Sequence, residues 1–160
     1  MGKETEPSME LQLVLFDLAS EHYAIDSSIV REIIRIQNIT RVPGSSSYVE
    51  GVTNLRGRVV PVLDLRKRLD LPVTDRNKET RIVVVNVAGH DVGLIVDGVS
   101  EVLRIPTSVI EPPSTIVTGE DTDYVMGIAK LEAKMVILLD LDKLLTPAIT
   151  QTPVMEAAHR

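Results

Sequence analysis

Apolar residues between positions 11 and 145 fall in short runs punctuated by Gly, Pro and Ser, the rhythm of an all-β chain. The pattern predicts strands over Leu11–Leu18, His22–Ile25, Val30–Ile36, Val49–Leu55 and Val59–Leu63. It predicts five more over Arg81–Val87, Val92–Val96, Val99–Ile105, Val125–Leu131 and Met135–Leu139. Asp64 and Asp140 each precede a charged and apolar turn, so each reads as the N-cap of a short helix. Residues 1–10 are polar with a proline, and 147–160 are rich in Thr, Pro and Ala; both read as loose tails.

That series is five strands stated twice. At an offset of 76, residues 48–69 lie over 124–145 without a gap, and the pairs Tyr48/Tyr124, Gly51/Gly127, Leu55/Leu131, Asp64/Asp140 and Lys67/Lys143 are identical. At an offset of 69, residues 11–36 lie over 80–105, matching Val14/Val83, Ala19/Ala88, Val30/Val99 and Glu32/Glu101. The seven-residue difference is the extra length of loop 106–123 over loop 37–47. The chain therefore reads as an internal duplication, with one barrel repeat over 11–77 and a second over 78–146. Five short strands and a helical turn suit a small SH3- or OB-like barrel, because closure removes sheet edges. Two such units would each be marginal alone and should pack together. The pattern leaves open whether each barrel is contiguous or the halves exchange strands.

Composition agrees and narrows the chemistry. The 160 residues include 22 Val and 14 Ile but only four aromatics, Phe16, Tyr23, Tyr48 and Tyr124. Branching at Cβ favours pleated strands over helices. There is no Cys, which excludes disulfides, thiolate nucleophiles and Cys-held metals. His22, His90 and His159 lie far apart, and His22 and His90 fall in the first hairpin turns of their repeats. No phosphate-loop or nucleophile-elbow motif is present, and no catalytic residue, metal ligand or cofactor is expected. The loop 106–123 carries an acidic run but lacks the spacing of a calcium loop. A net charge of −6 and few aromatics argue against nucleic-acid binding. No apolar stretch approaches the roughly 20 residues of a membrane span.

The halves differ informatively at one hairpin. The first reads Asn54-Leu55-Arg56-Gly57, whereas the second reads Lys130-Leu131-Glu132-Ala133. Gly57 tolerates positive φ, so the first turn can be tight and hold Arg56 outward; Ala133 cannot do so as cheaply. Residues 56–68 carry five basic side chains against Asp64 alone, a basic patch on an acidic chain. Such a patch can steer an acidic partner.

The run from Tyr48 to Arg66, with Gly51 and Asn54-Leu55-Arg56-Gly57, resembles the signature segment of the CheW-like coupling proteins of bacterial chemotaxis. Tyr23-Ala24-Ile25-Asp26, Val30-Arg31-Glu32-Ile33 and Val92 to Val99 are similar as well, and the resemblance covers about residues 11–145. It implies two intertwined five-stranded barrels and a non-enzymatic adaptor. Such an adaptor bridges the cytoplasmic tip of chemoreceptors to the regulatory domain of the histidine kinase CheA. It is cytoplasmic and recruited to membrane receptor arrays. The matching contact positions are Val30, Glu32, Gly51, Asn54, Arg56, Gly57, Val99 and Val102. Val30, Val99 and Val102 also suit an ordinary core, and Gly51 a backbone need, since Gly127 repeats it. Arg56 has Glu132 as its mate and is the most distinctive of the set. The alternatives are a scaffold of this type in another signalling array and an OB- or SH3-like nucleic-acid binder.

Overall fold

The β-branched runs form eleven strands among residues 9–112 and 124–145, the part described by a computed structural model. The first repeat supplies β1 (Glu10–Leu18), β2 (Glu21–Asp26), β3 (Val30–Arg35), β4 (Val49–Leu55) and β5 (Arg58–Asp64). The second supplies β6 (Arg81–Val87), β7 (His90–Val96), β8 (Gly98–Pro106), β9 (Ile110–Glu111), β10 (Val125–Leu131) and β11 (Lys134–Leu139). Asp64 caps the helical turn α1 (Leu65–Arg68) by accepting a 3.0 Å hydrogen bond from the Arg66 N–H. Asp140 does the same for residues 141–145, accepting from the Asp142 N–H at 3.0 Å.

The two repeats exchange strands. One sheet runs β8-β1-β2-β11-β10-β9 and the other β3-β6-β7-β5-β4, so each takes its first hairpin from one repeat and the remaining strands from the other. The chain crosses between sheets at Ser27–Ile29 and again at Asp97. The registers repeat as faithfully as the sequence. Leu15 faces Glu101 and Phe16 faces Val99, while Val84 faces Glu32 and Val85 faces Val30. Both ladders skip one residue at the same place, Ser100 and Arg31, which makes each a bulge. The parallel pairs β11–β2 and β5–β7 are equivalent too.

Alternation along the strands sorts the apolar residues into three clusters. Leu13, Leu15, Ala24, Val136 and Leu138 fill the interior of the first sheet, and Leu55, Val60, Val62, Ile82 and Val84 that of the second. A larger cluster takes Val14, Phe16, Tyr23 and Leu139 from one sheet and Val49, Val83, Val85 and Leu94 from the other. This shared layer joins the barrels into one unit, and barrels of this size would be marginal alone.

Three local features differ from expectation. The loop from Pro106 is ordered at its start: β8 runs through Pro106, a 3-10 turn covers Thr107–Val109, and β9 pairs with β10. A two-residue strand leaves almost no periodic signal. His22 and His90 lie inside β2 and β7, because the turns themselves are Ala19-Ser20 and Ala88-Gly89. Ala19, Ser20 and Ala88 take positive φ there (50°, 70° and 53°), so these tight turns form without relying on glycine at every strained position. Residues 1–8, 113–123 and 146–160 lie outside the described residues, and with them most of both tails and the acidic run; Glu10 already belongs to β1. Among the described residues no helix is long and apolar enough to cross a membrane.

Where the repeats meet, Arg68 places its guanidinium 5.3 Å from the ring of Tyr48 and 5.8 Å from that of Tyr124. Its Nε also donates to the Leu144 carbonyl at 3.0 Å. The two tyrosines are repeat mates, and Leu144 is the mate of Arg68 itself, so this side chain stands at the pseudo-two-fold axis.

Candidate functional site

The β4–β5 hairpin closes on two residues, with Leu55 paired to Arg58 and both Arg56 (φ 54°) and Gly57 (φ 85°) in the left-handed region. That is the geometry of a tight primed turn. Asn54 locks it, its Oδ1 accepting from the Gly57 N–H at 2.9 Å. Held this way, Arg56 reaches β3 and grips Glu32 with both fork nitrogens, at 2.5 and 2.8 Å. β3 and β4 are opposite edges of their sheet, so this ion pair forms only because the sheet curls back on itself. Four of the sequence-derived positions, Glu32, Asn54, Arg56 and Gly57, thus come together.

Three charged neighbours join them. Asp91 at the start of β7 accepts from Arg58, lies 3.5 Å from Nε of Arg31, and takes a 2.8 Å hydrogen bond from Asn86 Nδ2. Alternation puts Asn86 in line with Val84, Asp91 with Gly93, Arg58 with Val60 and Glu32 with Ile34, all of which border the barrel interior. The polar group therefore forms a rim over that interior. The hydrogen bond from Arg56 holds the Glu32 carboxyl below its ordinary value, and the Arg56 guanidinium is raised in turn. Burial pushes the Asp91 carboxyl up, but the Asn86 and Arg58 hydrogen bonds and the nearby arginines outweigh it and leave it lowered. Both carboxylates stay charged at neutral pH.

The remaining positions lie elsewhere. Val30 and Val99 are half-buried against the shared cluster, in equivalent registers of the two repeats, so the junction brings them to one layer. Val102 on β8 is 53% exposed. Gly51 stands in a bulge of β4 at φ 146°, where an added Cβ would sit 2.1 Å from the Thr40 carbonyl oxygen. The backbone alone therefore requires glycine there. Among the described residues no group of His, Asp and Glu is placed to hold a metal ion.

A second polar node marks the chain crossing. Arg66 donates from Nε and Nη2 to the two oxygens of Asp97, at 2.8 and 2.6 Å, and from Nη1 to the Pro72 carbonyl. Asp97 also accepts from the Ala19 N–H at 2.8 Å. Burial raises the Asp97 carboxyl, yet Arg66 and the Ala19 N–H overcome this and lower it. One ion pair thus ties α1, the inter-repeat linker, the crossing and the β1–β2 hairpin. Arg31, Asp91 and Asp97 were missed from the sequence as site residues. The bulge that redirects Arg31 and the crossing at Asp97 have no compositional signal, whereas Arg58 stood within the basic run.

A family model described as CheW-like domain matches residues 12–148. The chain is 37% identical over 147 residues to a chemotaxis protein CheW of Bacillus subtilis, covering 92% of this chain and 94% of that one. It is 36% identical over 135 residues to the chemotaxis protein CheW of Klebsiella aerogenes, covering 84% and 81%. The crystal structure of the scaffolding protein TtCheW from Thermoanaerobacter tengcongensis matches with a TM-score of 0.79 at 42% identity, covering 86% of this chain and 93% of that one. Exchanged barrels, repeated registers and an Asn-Leu-Arg-Gly turn clasping a β3 glutamate are thus the features of a chain that belongs to the CheW-like family.

Proposed function

We propose that this chain, a chemotaxis adaptor of the CheW-like family, couples the cytoplasmic tip of a chemoreceptor to the regulatory domain of the kinase CheA. It does so in the cytoplasm at membrane receptor arrays, without chemistry of its own. The family match over residues 12–148 carries this reading. Its site residues are Val30, Glu32, Gly51, Asn54, Arg56, Gly57, Val99 and Val102. Arg56 and Glu32 act at the barrel rim, Val30 and Val99 at the junction, and Val102 on the exposed face of β8. Gly51 acts indirectly, by letting β4 pass against Thr40. Apolar contacts carry most affinity in such interfaces, and exposed charges set specificity and on-rate. The reading of a nucleic-acid binder is not favoured.

Gel filtration of the full chain with a CheA regulatory domain, with and without a receptor-tip fragment, tests the reading. Co-elution is expected, and failure to co-elute with either partner refutes it. Arg56→Ala should stay folded and weaken binding several-fold; unchanged titrations against both partners would remove Arg56 from the site.

A further inference from the structure

The rim around Arg56 holds more positive charge than closing a barrel requires. Arg56, Arg31 and Arg58 are 71%, 60% and 62% exposed, whereas the carboxylates they bind are less so, Glu32 at 26% and Asp91 at 11%. The guanidiniums stand further into solvent than the acids, so solvent meets a face dominated by three cations, with Asp91 largely covered and Glu32 partly so. Arg31 shares that face with Glu32 because it is the unpaired residue of the β3 bulge. Asp91 is itself fixed by Asn86, which gives Arg31 and Arg58 a rigid anchor on a third strand pair. A guanidinium that spends part of its fork on an internal carboxylate keeps other N–H donors free for an incoming one.

The other barrel supplies the control. Its equivalent rim positions are Asp17 for Asn86, His22 for Asp91, Ser100 for Arg31, Glu101 for Glu32, Glu132 for Arg56 and Lys134 for Arg58. That rim closes with a 2.9 Å Asp17–His22 contact and a 3.1 Å Lys134–Glu101 pair, and needs no arginine. The three-arginine face is therefore a property of this end and not of the fold.

We propose that Arg31 and Arg58, anchored by Asp91, extend the Arg56 site into a basic docking face that takes an acidic segment of a protein partner. The proposal rests on the reading that this rim meets a partner of the coupling complex. Arg31 and Arg58 supply attraction during approach, and Asp91 is a positioning residue that acts through them. On a chain of net charge −6, this face gives an acidic partner a local target, effective over about 8–10 Å at ordinary ionic strength.

The test measures association and dissociation rates of the full chain with the CheA regulatory domain and with the receptor-tip fragment, at low and high salt. R31E/R58E should remain folded, since both side chains are exposed. It should slow association with at least one partner by about tenfold or more at low salt and flatten the salt dependence. R31Q/R58Q should fall between it and wild type. Asp91→Asn makes the face more positive, yet it should speed dissociation several-fold, because the two guanidiniums lose their anchor; simple charge attraction would give the opposite sign. Wild type binding that R31E/R58E retains within twofold overturns this proposal alone. Wild type that binds neither partner overturns it together with the coupling reading. Loss of retention on anionic vesicles by R31E/R58E, with both protein partners bound as before, would overturn it in favour of a lipid surface.

Discussion

The two barrels close with hairpins at the same place in the repeat, yet the hairpins turn differently and carry opposite charge. In the first, Arg56 and Gly57 both have positive φ, and Arg56 grips Glu32 from the turn itself. In the second, neither Glu132 nor Ala133 has positive φ, and Glu101 is held by Lys134, two places further along. The duplication thus preserved an ion pair from the third strand's glutamate to the hairpin but moved its basic partner. What the skeleton demands is a bond across the barrel mouth. Which residue makes it is free, and the first barrel uses that freedom to expose arginines.

The largest effect should separate structural demand from that freedom. Gly51 and Gly127 are repeat mates in equivalent bulges, but Gly51 alone combines positive φ with a backbone oxygen 2.1 Å from where a Cβ would stand. At Gly127 the nearest atom is the tip of the Ile110 side chain at 2.6 Å, with the Glu111 carbonyl oxygen at 2.8 Å. Gly51→Ala should cost about 3 kcal/mol or more and Gly127→Ala less, because Gly51 adds positive φ and meets its carbonyl oxygen at 2.1 Å rather than 2.8 Å. Urea unfolding of both variants checks this; equal losses would mean that the two bulges are energetically alike.

Next comes Asp97, whose repeat mate is Ser28, so the other half has no carboxylate at the matching position. Asp97→Asn leaves the Arg66 fork facing a neutral amide and should cost about 2 kcal/mol, reduced from a fully buried pair because Asp97 is partly exposed. A loss below about 0.5 kcal/mol in the same unfolding assay would show that the shared apolar layer alone fixes the crossing.

Gly57→Ala tests the turns. Nothing lies within 4 Å of an added Cβ, so only the left-handed backbone is taxed, at about 1 kcal/mol. Ala133→Gly should cost less, about 0.5 kcal/mol, through the unfolded chain. A thermal melt in which the order reverses would contradict the two turn geometries.

Acid should act on the rim and the crossing together. Glu32, Asp91 and Asp97 are held below their ordinary values, so the stability they supply is present above about pH 4.5 and lost as pH falls through their lowered values. Asp64 runs the other way: burial raises its carboxyl, and folding favours its protonated form, so it partly offsets the loss. Melting temperature should therefore decline below about pH 4.5, and Asp64→Asn should steepen the decline, because it removes the offsetting group.

The ten principal strands were legible as short Val- and Ile-rich runs between turn residues, the helix caps from Asp64 and Asp140, and the duplication from identities at fixed offsets. The same logic hid the exchange: a hairpin from either repeat presents the same apolar face, so Val14 and Val83 cannot reveal which partner strand they meet. Arg56, Asn54 and Gly57 were legible as a turn, and Glu32 as a charged position on β3. Their contact was not, since it depends on the sheet curling until its edges meet. Arg31 was hidden for a smaller reason, as a one-residue bulge leaves no mark in the pattern.

Arg68 carries a consequence for symmetry. A side chain at a two-fold axis has room for one copy, and here a guanidinium occupies it against both tyrosines while its mate offers only a backbone carbonyl. Two copies of the first half, assembled in the same way, would press two cations into that space. Two copies of the second would leave both rings without one. The centre is therefore built from unlike contributions of the two halves, a guanidinium from the first and a carbonyl from the second, and the symmetry of the repeats ends there.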